Sequence, residues 1–406
     1  MALLPVDEAL SRLLDDAGLL GAQEVHIADA AGRFLASDLA ARRTQPPFPA
    51  AAMDGYAVRA DDIANVPAAL TVIGESAAGH RFSGKVEGGE CVRIFTGAPV
   101  PSGADTVIIQ ENVGVLGDGR VQVNEGEPKG RNIRVEGLDF RQGSTILKAG
   151  RQLDAAALSL AAAANHDRLT VARKPLVAIL ATGDELVPPG ALPGPDQIIA
   201  SNSFGVAALA TECGATVIDL GIARDDHGII GAAVGRARDA GADIIVTLGG
   251  ASVGDHDLVQ SVLADAGMEL DFWKIAMRPG KPLMVGRFGE TRVLGLPGNP
   301  VSSLVCAHLF LKPLIKALCG ARHVHDIRTA RLTTPMKANG DRQDHVRAVC
   351  TSDGTGGLQV TPFKRQDSSM LSTLAEANCL VIRPAHAPAV NEGDNVPCLI
   401  LRSLGD

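Results

Sequence analysis

Apolar residues near the start of the chain recur at the spacing of one helix face, i, i+4, i+7, i+8: Val6, Leu10, Leu13 and Leu14. This spacing predicts an amphipathic helix that stops at Gly18. From 46 to 145 the pattern changes to short alternating apolar runs separated by Gly, Pro and Asp, which favours an antiparallel β module. An Ala-rich run from 154 to about 164 then predicts a helix, and LTVAR predicts a strand before a linker at Lys174 and Pro175.

The stretch from 176 to 320 alternates apolar strands with helices. Four runs are predicted as strands that each end in a polar loop: LVAIL, TVIDLGIA, DIIVTL and TRVLGL. Helices are predicted after the first run, where Ser201 or Asn202 caps the helix and Gly214 closes it, and after the last two. This alternation implies a parallel sheet with helices on both faces, and ligands of such sheets collect at the carboxyl ends of the strands.

Residues 326–406 return to short strands and glycine-rich turns, with a helical pattern only around 371–377. They predict a small β domain. Together the patterns predict a multidomain fold of the α/β plus β class.

The composition excludes several classes of protein. A net charge of −8 and a pI near 5.7 argue against a nucleic-acid surface, which needs a basic face. The seven cysteines are scattered without a CxxC pair, so they predict neither a zinc site nor a disulfide framework. The N-terminus lacks the basic region of a signal peptide, and the most apolar run, LDAAALSLAAAAN, is too short to span a bilayer. We therefore expect a cytoplasmic protein with neither nucleic acid nor membrane among its partners.

The loop TLGGASVGDHD, at 247–257, joins a predicted strand to a predicted helix. Gly249, Gly250 and Gly254 allow backbone N–H groups to converge on an anion at the start of that helix. A tight strand-to-helix turn that needs glycine only for its geometry explains the same residues. Both interpretations stay open from the loop alone.

The segment 250–254 also fits the G-x-S-x-G pattern of a nucleophile elbow, with Ser252 as the nucleophile. No HGGG-type oxyanion loop accompanies it, and Asp255 and Asp257 flank the start of the helix. Two carboxylates suit a metal held against a phosphate better than an acyl oxyanion. A serine hydrolase is therefore the weaker hypothesis.

Acidic residues gather at two other strand ends. Asp184 and Glu185 follow the first strand of the α/β region, and Asp225 and Asp226 follow the second. One acidic loop is typically a helix cap or a turn. Several that point into one crevice indicate a site for a metal–phosphate complex.

The run WKIAMRPGKP concentrates Lys274, Arg278 and Lys281 in an otherwise acidic chain. Charge runs are commonly solvated faces. Here Pro279 and Gly280 prevent a helix, so the charges are predicted on a turn, where they can neutralise a phosphate or oxyanion.

Two further motifs are less informative. GLPGNPVSSL supplies a rigid turn with Pro297 and Asn299, and its helix is predicted to begin near Pro300. His323 and His325 have metal-like spacing but no third ligand, which favours a surface loop.

Longer motifs in the chain resemble one known family. MDGYAVR, FTGAPVPSGADTVI, NIRVEGLDF, ATGDEL, GIARDD, GGASVGDHD, KIAMRPGKP and GLPGNPVSS occur in the order found in the molybdopterin molybdenumtransferase family, which comprises bacterial MoeA and the E domain of gephyrin. The resemblance covers nearly the whole chain. It implies insertion of molybdate into adenylylated molybdopterin, with release of AMP and formation of molybdenum cofactor, assisted by Mg²⁺.

The resemblance also implies an elongated homodimer of four-domain subunits, with the active site between the α/β domain of one subunit and the β domain of the other. By this scheme a helical and linker domain is discontinuous (1–45 and 144–174), and a β domain is inserted into it (46–143). A three-layer α/β molybdopterin-binding domain (175–325) and a small β domain (326–406) follow. Molybdopterin adenylyltransferase and proteins that mature molybdoenzymes are expected partners.

The matching motifs carry the family's functional positions onto this sequence. The resemblance implies catalytic roles for Asp54, Thr96, Glu185, Asp225, Asp257, Lys274 and Arg278. It implies that Mg²⁺ is bound by Asp225 and Asp257. Substrate-binding residues are expected to be Asp139, Gly249, Gly250, Ser252, Gly254, Lys281, Pro297, Asn299, Arg347, Ser368 and Ser369.

Two places depart from the family's pattern. Arg278 stands where the family has a lysine, so a planar fork replaces a point charge and an identical role is not assumed. Lys364 and Arg365 replace the usual glycine and histidine ahead of the C-terminal serines.

Two other functions remain open within this fold. A molybdopterin adenylyltransferase shares the α/β domain but lacks the MDGY module and the C-terminal β domain. A non-catalytic dimeric scaffold is the second, because the gephyrin branch also anchors receptor loops. The intact site motifs of this chain favour catalysis over scaffolding.

Overall fold

The computed structural model describes residues 3–250 and 258–404. The predicted N-terminal helix is confirmed, but it ends at Leu14 and not at Gly18. The next residue, Asp15, has extended backbone with a ψ angle of 131°. The helices are α1 Val6–Leu14, α2 Ala155–Ala163, α3 Asn202–Glu212, α4 His227–Asp239, α5 Leu258–Asp265, α6 Pro300–Cys306, α7 Lys312–Leu318 and α8 Leu371–Glu376.

The strands of the first part of the chain are β1 Ala22–His26, β2 Leu39–Ala40, β3 Ala50–Ala51, β4 Gly55–Val58, β5 Ala68–Ser76, β6 Glu90–Ile94, β7 Thr106–Ile109, β8 Val113–Val115, β9 Arg120–Val123, β10 Ile133–Arg134, β11 Thr145–Leu147 and β12 Arg168–Ala172. Six of them form a sheet in the order β7-β4-β6-β5-β9-β8. The predicted antiparallel module is confirmed for four of its pairs, but β5 and β6 pair in parallel. Residues 77–89 between those two strands are long enough for the crossover that a parallel pair requires.

Two antiparallel ribbons accompany helix α2 outside that sheet, β1 with β12 and β2 with β11. The predicted helix is confirmed, and the Asp154 carboxylate caps it by accepting a hydrogen bond from Ala157 N at 2.8 Å. Its buried face packs with Leu35 and Leu169 in a small core of its own.

The strands of the second part are β13 Leu176–Thr182, β14 Leu186–Val187, β15 Ile198–Ile199, β16 Thr216–Ala223, β17 Ile244–Leu248, β18 Glu269–Lys274, β19 Met277–Arg278, β20 Pro282–Phe288, β21 Thr291–Leu296, β22 Ile327–Leu332, β23 Gln343–Ser352, β24 Leu358–Pro362, β25 Cys379–Arg383 and β26 Asn395–Ile400. The α/β domain has the sheet order β16-β13-β17-β21-β20-β18. The predicted parallel sheet is confirmed for β16, β13, β17 and β21. β20 and β18 are antiparallel additions. The prediction of a charged turn is therefore wrong for two of its three cations: Lys274 lies on β18 and Arg278 on β19, and only Lys281 lies in the connection before β20.

Helix α4 follows β16, where the sequence predicts no helix. Three glycines, Gly228, Gly231 and Gly235, weaken its signal because glycine is a poor helix former. The Asp226 carboxylate caps the helix by accepting a hydrogen bond from Ile229 N at 2.9 Å. Of the predicted acidic pair Asp225 and Asp226, Asp226 therefore has a structural role as a helix cap.

The C-terminal sheet has the order β19-β23-β24-β22-β26-β25. The predicted small β domain is confirmed, and its helical pattern corresponds to α8. β19 comes from the α/β part of the sequence and pairs in parallel with β23, Met277 opposite Gln343 and Arg278 opposite Asp344. The two domains therefore share a sheet edge.

The longest apolar helix is Pro300–Leu318, so the prediction that the Ala-rich run is the most apolar part of the chain is wrong. It consists of α6, a π-helical turn at Ala307–Leu311 and α7. Pro313 has no N–H to bond the carbonyl of Leu309, which favours the wider turn. By length and composition this helix could cross a membrane, but 72% of its apolar window is buried inside the protein.

Helix α1 packs on the α/β domain. Val6, Ala9 and Leu13 are buried in the same hydrophobic cluster as Phe310 of the long helix. The first helix therefore joins the core of the α/β domain, whereas the predicted boundaries place 1–45 in the N-terminal domain.

Gly55→Ala, in the MDGY turn, is expected to lower the stability of the β domain by about 1–3 kcal/mol. The added Cβ would lie 1.8 Å from the carbonyl oxygen of Ile108, which belongs to the paired strand β7 and cannot yield without losing that pairing. Gly114→Ala is the matched control, because its Cβ would lie 3.8 Å from its nearest neighbour, Nδ2 of Asn124. Thermal unfolding measures both variants, and equal shifts in melting temperature would contradict the packing argument.

Candidate active site

A cleft of about 1010 Å³ opens at the carboxyl ends of the parallel strands. Thr182 of β13 and Leu248 of β17 line its floor, and Asn202 of α3 and Pro300 of α6 stand at its rim. The chain leaves β13 for β16 on one side of it and later forms β17 on the other side. Open α/β sheets bind ligands at such a reversal of strand order.

The cleft brings together many of the predicted site residues. Those that line it are Glu185, Asp225, Gly249, Gly250, Pro297, Asn299 and Ser369. Ser252, Gly254 and Asp257 lie outside the described residues.

Gly249 and Gly250 form the turn that follows β17. Both have positive φ angles, 97° and 64°. A Cβ on Gly249 would lie 2.6 Å from the carbonyl oxygen of Thr182, and one on Gly250 would lie 2.1 Å from a methyl carbon of Val259. The geometry of the turn therefore requires glycine at both positions. Anion binding by their N–H groups stays a prediction.

Thr182 has a place in this cleft that the sequence did not predict. Its side chain is 4% exposed, and its hydroxyl has no hydrogen-bond partner among the described residues. Thr182 belongs to the ATGDEL motif, but the sequence prediction for that motif rested on its two acidic residues, Asp184 and Glu185. A buried hydroxyl without a partner at the floor of a cleft is a candidate ligand contact.

The start of α3 differs from the predicted cap. Ser201 occupies the N-cap position without a capping hydrogen bond from its side chain. The Asn202 amide instead donates a hydrogen bond to the carbonyl oxygen of Gly298 at 2.7 Å. This bond ties the helix to the loop after β21, which carries Asn299 into the cleft.

Negative charge accumulates at the ends of β13 and β16. Asp225 N donates a hydrogen bond to a carboxylate oxygen of Asp184 at 3.2 Å. Partial desolvation raises the pKa of the Asp225 carboxyl, and the nearby carboxylates of Asp184 and Glu185 raise it further. Within 3–250 and 258–404, no three acidic, histidine or cysteine side chains stand in metal-binding geometry.

Two of the predicted cations stand beside the cleft. Lys274 is paired across β18 and β20 with Pro282, which lines the cleft. Its ammonium nitrogen lies 5.9 Å from the centre of the Trp273 ring. Lys281 directly precedes Pro282 in the chain. Each lysine is therefore next to a residue that lines the cleft, Lys274 by strand pairing and Lys281 in the chain.

Arg278, the third predicted cation, is engaged by an acid of the C-terminal domain. Its Nε donates a hydrogen bond to Asp344 Oδ1 at 2.9 Å, and a terminal nitrogen contacts the other carboxylate oxygen. The Arg278 side chain is 59% exposed, whereas that of Asp344 is 11% exposed. The planar fork of arginine thus makes a two-point contact that the family's lysine cannot make.

Arg347 is buried, in contrast to the oxyanion contact predicted for it. Its backbone N and its Nε donate hydrogen bonds to Gln366 Oε1 at 3.0 Å and 3.2 Å. A terminal nitrogen donates to the carbonyl oxygen of Met370 at 3.1 Å, and burial lowers the pKa of the guanidinium. The side chain therefore holds the loop that carries Ser368 and Ser369.

The two serines of that loop have different surroundings. Ser369 lines the cleft, and its backbone N and its hydroxyl donate hydrogen bonds to Asp367 Oδ1 at 2.9 Å and 2.6 Å. Ser368 contributes a carbonyl oxygen that accepts a hydrogen bond from Val301 N at 3.1 Å. The loop is thus attached to helix α6, which starts at the cleft.

Asp54 and Thr96 meet on the surface of the β domain. The backbone N and the hydroxyl of Thr96 donate hydrogen bonds to Asp54 Oδ1 at 2.7 Å and 2.8 Å, and these bonds lower the pKa of the Asp54 carboxyl. Arg93 supports the turn by donating a hydrogen bond to the Gly55 carbonyl and by lying 5.1 Å from the centre of the Tyr56 ring. Within this chain the pair lies outside the lining of the cleft.

Asp139 is exposed on the segment after β10. Strand β10 pairs with β3, which precedes the MDGY turn, so Asp139 and Asp54 belong to neighbouring loops. Exposed apolar side chains stand on the same loops: Met53, Val135 and Leu138.

This chain is similar to known proteins over nearly its whole length. Three family models match it: the MoeA N-terminal region (domain I and II) at 4–165, a probable molybdopterin binding domain at 178–317 and the MoeA C-terminal region (domain IV) at 329–401. The molybdopterin molybdenumtransferase of Haemophilus influenzae is 35% identical over 97% of this chain and 98% of its own. That of Bacillus subtilis is 33% identical over 98% of this chain and 94% of its own. The solved structure of the molybdopterin biosynthesis MoeA protein from Pyrococcus horikoshii is similar with a TM-score of 0.86 at 28% identity, over 98% of this chain and 100% of that one.

Loss of Arg278 is expected to destabilise the protein more than loss of Asp344. Arg278→Met leaves a nearly buried carboxylate without a partner, which costs about 1–3 kcal/mol. Asp344→Asn leaves an arginine that water can solvate, so we expect less than about 1 kcal/mol. Asp341→Asn is the control, since the side chain of Asp341 is 77% exposed. Urea unfolding curves give the order, and a larger effect of Asp344→Asn than of Arg278→Met would contradict this account.

Proposed function

The chain belongs to the molybdopterin molybdenumtransferase family, and from that membership we propose that it inserts molybdate into adenylylated molybdopterin, releasing AMP and forming molybdenum cofactor. Water or a molybdate oxygen attacks the adenylate phosphorus and breaks its bond to the phosphate of molybdopterin. With water the adenylyl group leaves as AMP; with molybdate it leaves as AMP when a dithiolene sulfur displaces the adenylylated oxygen from molybdenum. The observation that carries the proposal is the cleft, where acidic strand ends face the glycine turn after β17. Its volume of about 1010 Å³ suits a ligand as large as a pterin nucleotide.

The substrates are rich in negative charge, so the reaction requires donors and cations around them. The N–H groups of Gly249 and Gly250, with Asn299 and Ser369, are the proposed contacts of the bound ligand. Lys274 and Lys281 neutralise the oxyanions from the neighbouring strands. Arg347 acts by holding the Ser369 loop, and Arg278 by fixing the C-terminal domain.

Mg²⁺ is the proposed cation of this site, held by Asp225 together with Asp257. The donor set fits a hard cation, because carboxylate oxygens are what Mg²⁺ prefers. Partial desolvation, and after it the nearby carboxylates of Asp184 and Glu185, raise the pKa of the Asp225 carboxyl, and a divalent cation would offset both effects. When bound, Mg²⁺ supplies charge that polarises the adenylate phosphate.

A homodimer with a shared active site is the second part of the proposal. Asp54, Thr96 and Asp139 are on the β domain and do not line the cleft of their own chain. Apolar side chains are exposed beside them, and others, Ile198 and Phe204, are exposed near the cleft. Apolar surface on both parts suits a contact between two copies. The β domain of the second copy then brings its acidic residues to the cleft.

The cellular setting is also proposed. The enzyme acts in the cytoplasm, receives its substrate from a molybdopterin adenylyltransferase and passes its product to proteins that mature molybdoenzymes. Consumption of ATP by this chain with free molybdopterin would instead favour the adenylyltransferase-like alternative. Absence of any turnover with adenylylated molybdopterin and molybdate would favour a scaffold.

Asp225→Asn is expected to reduce molybdate-dependent AMP release at least about 100-fold, because it removes a charged contact made in the transition state. The carboxylate is exposed, so the fold should survive the change. Asp239→Asn, at the exposed end of α4, is the control and should retain activity. AMP release is followed with purified substrate, and full turnover by Asp225→Asn would remove this residue from the mechanism.

Mixed dimers test the shared site. A copy with Asp54→Asn is co-expressed with a copy carrying Asp225→Asn, and the heterodimer is purified through two different affinity tags. If the site is shared, one of the two sites is intact, and activity returns to about half of the wild-type level. Asp225→Asn paired with Lys274→Met is the control, because both changes affect the same domain and each site stays damaged. Inactive Asp54→Asn/Asp225→Asn heterodimers would show that the site lies within one chain.

A further inference from the structure

Another cavity, of about 180 Å³, shares no lining residue with the cleft. It lies where α7, the segment 320–326 and strand β26 meet. Pockets for cofactors and drug-sized ligands usually have about 300–1000 Å³, so the occupant of this cavity must be smaller. Its charged and polar side chains are His308, Lys312, His323, His325 and Asp326.

The lysine of this cavity has no ion-pair partner in the described part of the chain, although its charge contributes to lowering the pKa of the Asp326 carboxyl. The ammonium group of Lys312 makes no hydrogen bond or ion pair with a residue in 3–250 or 258–404. Asp326 is engaged by Arg328, whose Nε and terminal nitrogen each lie 2.9 Å from a carboxylate oxygen. Because Arg328 pairs with Asp326, Lys312 is the charged side chain of the lining that has no ion-pair partner among the described residues.

The histidines supply hydrogen-bond donors. His323 Nε2 lies 3.2 Å from His325 Nδ1, so one N–H is used between the two rings. The other nitrogens of this pair and both nitrogens of His308 have no partner among the residues that the structure describes. Burial lowers the pKa of His308 and of His323 to about 4, and the charge of Lys312 contributes to both shifts. At neutral pH these imidazoles are uncharged and each carries an N–H.

We propose that this cavity binds a small tetrahedral dianion of the sulfate, phosphate and molybdate class. Lys312 supplies the charge, and two of the three imidazoles donate hydrogen bonds to the oxyanion, because one N–H is used between His323 and His325. The proposal does not rest on the proposed activity, because the cavity and the cleft share no residue. A metal site is the less favoured occupant, since the described histidines and acids show no metal-binding group of three.

Binding should strengthen as the pH falls, because a bound anion favours the protonated form of the imidazoles. The expected rise in affinity is up to about tenfold per pH unit for each proton taken up. Lys312, Lys316, Arg402 and Asp7 act on the pKa values of these histidines from the surrounding elements, and Asp326 lines the same cavity. His325 in turn contributes to lowering the pKa of the buried His345.

Calorimetric titration of the full chain with sulfate, phosphate and molybdate, in chloride buffer at pH 6 and pH 8, tests the proposal. Lys274→Met serves as the background, so that binding in the cleft is weakened. All three oxyanions are expected to bind at one site. Sulfate and molybdate, which stay dianionic between pH 6 and pH 8, should bind more tightly at pH 6. Lys312→Met should weaken binding at least about tenfold, as expected for loss of a charged contact.

Lys316→Met is the matched control. It removes the same charge one turn further along α7, outside the cavity lining, and should change affinity less than about threefold. Histidine ring resonances locate the site: sulfate should shift those of His308, His323 and His325 and leave that of His386 unchanged. Equal affinity before and after Lys312→Met, or resonance shifts elsewhere only, would overturn the proposal. Sulfate and molybdate affinities equal at both pH values, or stoichiometric Zn²⁺ binding that excludes sulfate, would also overturn it.

Discussion

One buried apolar cluster holds most of this chain together. The helix Pro300–Leu318 lies within it, between the parallel sheet and α1, and side chains from the N-terminal ribbons and the C-terminal domain join it. Phe34 enters from the first part of the chain, and Leu374 and Leu399 from the last. Burial of apolar surface is the main stabilising term of folding. The cleft and the serine loop lie at the start of this helix, and the histidine cavity lies further along it, beside His308 and Lys312.

Elements with one dominant period could be predicted from the sequence. The apolar stripe of α1 matches a helix buried on one face, and the continuous apolar runs of β13 and β17 match strands buried on both faces. Helix α4 could not, since its glycines reduce helix propensity and its burial depends on the sheet beneath it. Strands β18 and β20 were not predicted. Pro279 and Gly280 correctly indicate a turn between them, but turn residues carry no information about the strands on each side.

For the candidate site too, some residues could be predicted from the sequence and others could not. Glu185, Asp225 and the glycine turn follow directly from short motifs at strand ends, because the chemistry is carried by neighbouring residues. Pairings between distant residues leave no local signal. Thr96 is 42 residues from Asp54, and Asp344 is 66 residues from Arg278. The sequence shows the charges but not which of them are already engaged in the folded protein, and the same holds for the burial of Arg347.

The pairing of β19 with β23 restricts how the C-terminal domain can move relative to the α/β domain. Backbone hydrogen bonds to β23 and the Arg278–Asp344 contact attach the C-terminal domain to the α/β domain at the same point. Domains joined only by a loop move freely against each other by default, whereas a shared sheet edge resists rotation. The wall of the cleft that carries Ser369 is therefore fixed to the α/β domain through β19. If the proposed site opens and closes around its substrate, the moving part is then the β domain, whose cores are separate from the one that the helix Pro300–Leu318 fills.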